Sequence, residues 1–96
     1  MELESKVYSW AYVTASRLLR DGPCELVFAY LVPSAATTDT NLYNGRSASG
    51  ELITTLKAAV VTGHPFKPPV PVYCLRGLYV SLSANASGVF VMWRNL

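Results

Sequence analysis

The chain has 96 residues, of which 51% are hydrophobic and 15% charged, with eight basic and six acidic side chains and a net charge of +2. That length holds one domain, taken here as 1–96, and a charged fraction below the usual value of about 25% leaves little polar cover for its surface. The basic residues are scattered from Lys6 to Arg94 without a run, which argues against a nucleic-acid partner.

No apolar stretch approaches the roughly 18 residues of a membrane span, so no membrane partner is expected. The opening MELESKVYSW has two glutamates and no apolar h-region, and it does not read as a secretory signal. The expectation is a protein that stays in the cytoplasm where it is made, unless it leaves inside a larger particle. In a reducing compartment Cys24 and Cys74 are expected to be free, buried thiols, because only two are present and neither has a short metal-ligand spacing. A disulfide between them is the alternative.

Along the chain, period two dominates. In KVYSWAYVTA the aromatics Tyr8, Trp10 and Tyr12 fall on one side and Val7, Ser9, Ala11 and Val13 on the other, the pattern of a strand with one aromatic face. The next segment, ASRLLRDGP, has little β preference from Ser16 to Arg20 and reads as a short helix stopped by Asp21-Gly22-Pro23. CELVFAYLV is apolar on both faces from Leu26 to Val32, which marks a strand covered on both sides and the best candidate for a sheet centre. PSAATTDTN is small, polar and opened by proline, the composition of a loop.

LYNG then reads as a short strand ending in Asn44-Gly45, a dipeptide suited to turns. ELITTLKAAVV is ambiguous. Leu52, Ile53 and Leu56 stripe a helix, whereas Ile53, Thr54 and Thr55 are β-branched and favour the strand, which is the preferred assignment. TGHPFKPPVPVY holds four of the six prolines and fits only an extended edge segment. Past it, YCL and LYVSL flank Arg76-Gly77, where Gly77 reads as a bulge, bend or tight turn and Arg76 reaches solvent. The turn SANASG leads to a last strand, VFVMWR.

About seven short strands with turns between them indicate an all-β fold, an antiparallel β-sandwich or jelly-roll-like barrel. The second choice is α+β, with residues 51–60 helical.

No cluster announces a reaction. His64 is the sole histidine and lacks a nearby nucleophile and acid in the sequence. The acidic residues form no close pair of the glycosidase kind. NGRSASG lacks the Lys-Ser/Thr ending of a phosphate loop. No enzymatic activity, no metal and no cofactor are expected. The one constellation of weight is Tyr8, Trp10 and Tyr12: such a row stacks on sugars or bases, but it lacks interleaved positive charge, and core or subunit packing accounts for it more simply. With Arg76, these residues are the candidate interface or ligand face.

The ordered segments SWAYVTAS, GPCELVFAYLV, LYNGRSASGELITTL, PVYCLRGLYVSL and GVFVMWR, together running from about Val7 to Arg94, resemble a group of small virion structural proteins of tailed bacteriophages. Two departures stand out: Leu75-Arg76 occupy the place of an expected aromatic before Gly77-Leu78, and PFKPPVP is longer than the pattern needs. The resemblance implies a β-sandwich without enzymatic activity, located in the virion after synthesis in the host cytoplasm, with capsid decoration, neck and tail all open. Its partners would be further copies of itself in a homo-oligomer, or a capsid, neck or tail protein. The competing expectation is a carbohydrate-binding or adhesive module that uses the aromatic strand face.

Overall fold

The structure, a computed structural model, describes residues 8–33, 38–58, 64–83 and 86–96. Among these are nine strands: β1 (Ser9–Val13), β2 (Arg17–Asp21), β3 (Cys24–Pro33), β4 (Thr38–Asn44), β5 (Glu51–Ala58), β6 (His64–Phe66), β7 (Val72–Cys74), β8 (Gly77–Leu82) and β9 (Ala86–Asn95). Every pairing is antiparallel. The first sheet runs β1-β9-β3, with β6 and β7 both on the far edge of β3; the second runs β2-β8-β4-β5. The fold is an all-β sandwich.

Between the sheets lie Val13, Leu26, Ala29, Leu31, Val89, Val91 and Trp93 from the first and Leu42, Leu56, Leu78 and Val80 from the second. Each fully buried leucine or valine contributes about 1.5–3 kcal/mol through removal of apolar surface from water. Alternation along the strands supplies these residues, as period two requires, but bulges reset its phase. In β3 the register shifts between Leu26 and Phe28. Cys24 and Leu26 therefore face the core before Val27, and Ala29 and Leu31 face it afterwards. The extra residue is what makes this strand look apolar on both faces.

Several elements differ from the sequence-based expectation. Arg17–Asp21 is a strand paired with β8, not a helix; pairing with a buried neighbour outweighs a weak local preference. The polar stretch from Thr38 to Asn41 belongs to β4, because Asn41 accepts a hydrogen bond from Thr55 Oγ1 across the pair, at 2.6 Å. Residues 34–37 of that expected loop lie outside the described residues. Glu51–Ala58 is strand as preferred, and residues 59–61 of the expected segment lie outside the description. The proline-rich segment contributes two three-residue strands on β3, which raises the count from about seven to nine. Pro65 sits in β6, at the sheet edge where a missing N–H is tolerated. β3 occupies the centre of its sheet, but its outer side is only partly covered among the described residues: Tyr30 is exposed and Phe28 half-buried.

Gly77 is a corner of the backbone. Its φ is 146°, a region that essentially only glycine enters. It pairs with Asp21, and its carbonyl accepts a hydrogen bond from Gly45 N at 3.2 Å. A β-carbon there would stand 2.5 Å from the Arg20 carbonyl oxygen and 3.0 Å from that of Gly45. The residue thus joins β8, β2 and the β4–β5 turn at one point. Gly77→Val is expected to lower stability by about 1–3 kcal/mol or more, read as a shift of the urea midpoint; an unchanged midpoint would contradict this assignment.

Thr40 is fully buried in β4, and its Oγ1 has no hydrogen-bond partner among the described residues. A buried hydroxyl without a partner forfeits its hydration. Thr40→Val preserves the shape and is expected to raise stability by up to about 1 kcal/mol, again measured by urea denaturation.

Candidate functional site

The outer face of the first sheet carries the main surface feature. β1 and β9 pair with Trp10 opposite Met92 and Tyr12 opposite Phe90, while β9 and β3 pair with Met92 opposite Phe28 and Phe90 opposite Tyr30. Residues directly opposite on one sheet face touch. The result is a platform three strands wide made of Trp10, Tyr12, Phe28, Tyr30, Phe90 and Met92. Ring centroids lie 5.9 Å apart for Trp10 and Phe90 and 6.1 Å apart for Phe28 and Phe90, all tilted, within the range of favourable aromatic pairs.

Tyr8, Trp10 and Tyr12 therefore stand together on the outside of the sandwich, 44%, 66% and 47% exposed, and core packing is not their role. Sequence reasoning located the β1 row but not its partners on β3 and β9. Phe90 and Met92 show plain alternation with Val89, Val91 and Trp93, and that signal marks an apolar strand without telling which side is solvent. Phe28 and Tyr30 were hidden by the bulge.

Among the described residues, an ion pair stands at one end of this face. Arg94 donates to Glu25 Oε1 through Nε at 3.2 Å and Nη2 at 2.8 Å. Hydrogen bonding to Glu25, followed by the attraction of its charge, holds the Arg94 guanidinium above its ordinary pKa. The six residues of the platform themselves carry no formal charge.

Tyr12 also lies across Gly88. A β-carbon on Gly88 would come 2.5 Å from Tyr12 Cζ and 2.6 Å from its hydroxyl oxygen, so the ring occupies the space that a side chain would fill. The far end of the ring can swing outward. Gly88→Ala is thus expected to cost less than about 1 kcal/mol while changing the near-UV circular dichroism of the aromatic face; a spectrum identical to the parent's would contradict the placement of Tyr12.

Arg76 is not part of this face. It lies in the β7–β8 turn, exposed, with its backbone N–H donating to Asn44 Oδ1 at 3.0 Å. There it helps line a cleft of about 550 Å³ with Pro23, Arg46, Ser47, Ser49 and Leu75, where three inter-strand turns meet. Arg46 is engaged with Asp21 at 2.7 Å, both side chains largely exposed, a pair of small energetic weight in water. The four residues grouped by sequence thus divide between two places. His64 lies in β6, and among the described residues no group of three histidine, cysteine or acidic side chains is arranged to hold a metal.

Comparison with protein-family models, with curated proteins and with solved structures yields no match for this chain.

Proposed function

We propose that this chain is a non-enzymatic structural protein that assembles by covering its aromatic sheet face with another copy of itself. The observation behind this is the aromatic platform on which Trp10, Tyr12 and Tyr30 are exposed beside the half-buried Phe28, Phe90 and Met92, in a chain with few charges to spend on its surface. Contiguous exposed apolar patches of this kind mark interaction sites, and aromatics with Met are the residues enriched in interfaces. An identical partner suits the site because its platform is equally apolar, and a two-fold operation lays one face on the other with every contact made twice. Two sheet faces in general pack at about 10 Å.

The resemblance to small virion proteins of tailed bacteriophages supports placing such an oligomer in a phage particle or prophage product, in contact with a capsid, neck or tail protein. Neighbouring reading frames for capsid, portal or tail proteins would strengthen that placement. Under the competing carbohydrate-binding alternative the same rings stack on sugars.

Light scattering at tens of micromolar is expected to give a multiple of the 10.5 kDa chain mass. Trp10→Asp, which places a charge on the most exposed ring of the face, is expected to return the mass to 10.5 kDa without lowering the stability of the monomer by more than about 1 kcal/mol. A parent protein that stays monomeric and binds on glycan arrays would overturn the assembly proposal in favour of sugar binding.

A further inference from the structure

Cys24 and Cys74 are distant in sequence and adjacent in the fold. They are register partners in the β3–β7 ladder, directly opposite each other on antiparallel strands. Both face the core and are fully buried, and both are free thiols. Opposed residues on antiparallel strands have α-carbons about 4.5 or 5.5 Å apart, inside the range of about 4.4–6.8 Å that disulfides span. We propose that this pair is a redox modification site, at which oxidation by a small external disulfide closes a Cys24–Cys74 bridge and fastens β7 to β3.

The two thiols are not equivalent. The Cys74 sulfur beside it, with burial next, pushes the Cys24 thiol above its ordinary pKa. The neighbouring Cys24 side chain lowers Cys74, against an opposing effect of burial, and Cys74 Sγ donates to the Val72 carbonyl at 3.5 Å. Cys74 is assigned as the thiol that reacts first, as thiolate, the nucleophilic form. It also sits on the more easily opened element. β7 has three residues, lies at the sheet edge and follows a stretch containing Pro68, Pro69 and Pro71; short edge elements open at low free-energy cost.

In the reaction the Cys74 thiolate attacks one sulfur of the external disulfide, forming a mixed disulfide and expelling the first external thiolate. Cys24 then gives up its proton and attacks Cys74 Sγ, expelling the second thiolate. One external disulfide is reduced and one protein disulfide is formed, and the two cysteine protons end on the two expelled thiols.

The bridge would close a loop of about 50 residues, which in the chain-entropy picture is among the more stabilising kinds. It would also immobilise the turn carrying Leu75 and Arg76. Reducing conditions keep the site open, and exposure to an oxidising medium closes it.

The test uses the full chain, equilibrated in buffers of reduced and oxidised glutathione and quenched with acid. Under oxidising buffer the intact mass is expected to fall by two hydrogens with both thiols lost, dithiothreitol is expected to restore them, and Tm is expected to rise by at least about 10 °C. Cys24→Ser is expected to stop at a glutathione adduct on Cys74, and Cys74→Ser to accumulate adduct more slowly. The proposal is overturned if oxidising buffer leaves both thiols reduced in the native protein, if it yields only disulfide-linked dimers, or if the bridged chain melts below the reduced one.

Discussion

The pairing of β3 with β9 is the constraint on which the remainder of the fold rests. These are the two longest strands, ten residues each, and they run together from Cys24 opposite Asn95 to Pro33 opposite Ala86. One side of the ribbon delivers Ala29, Leu31, Val89, Val91 and Trp93 to the core, and the other presents Phe28, Tyr30, Phe90 and Met92 to the outside. β1 adds to the free side of β9, while β6 and β7 add to the free side of β3. Core and candidate interface are two faces of one hydrogen-bonded ladder, so neither can be altered in register without moving the other.

The outer faces of the two sheets differ in chemistry. On the second sheet Asn41 is bonded to both Tyr43, at 3.2 Å, and Thr55, at 2.6 Å. Tyr43 and Tyr79 pack with ring centroids 6.4 Å apart beside that polar group. Side chains that satisfy one another in this way need no partner. Among the described residues, the six platform side chains of the first sheet form no comparable polar network, and the Glu25–Arg94 ion pair stands at their margin. That asymmetry is the basis for the proposed assembly through one face, and a chain with one such face closes into a finite oligomer more readily than into a filament.

One end of the sandwich gathers most of the unusual backbone. Gly22 and Gly77 both have positive φ, and the β2–β3, β4–β5 and β7–β8 turns meet there around the arginine-lined cleft. The Cys24–Cys74 pair lies just inside the same end, one residue from Pro23 and two from Arg76. Tight packing of three turns over a short edge strand makes the position of β7 depend on a small number of contacts. A covalent bond placed there constrains the part of the sheet that its own hydrogen bonds hold least.

Alternation and turn chemistry were enough to establish an antiparallel all-β sandwich, to place Trp10 and Tyr12 on one face of a strand that Tyr8 precedes, and to identify Gly77 as a corner. These depend on local rules: period two, proline at edges and glycine at positive φ. The direction in which the aromatic row points was settled only by the sheet, because a strand pattern distinguishes its two faces without saying which one meets the core. The bulge at Val27 obscured Phe28 and Tyr30, since one extra residue inverts the faces without altering composition. β2 was missed because Leu18 and Leu19 become a strand only beside β8. The meeting of Cys24 with Cys74 belongs wholly to tertiary structure: a separation of fifty residues carries no register information until β7 is laid against β3.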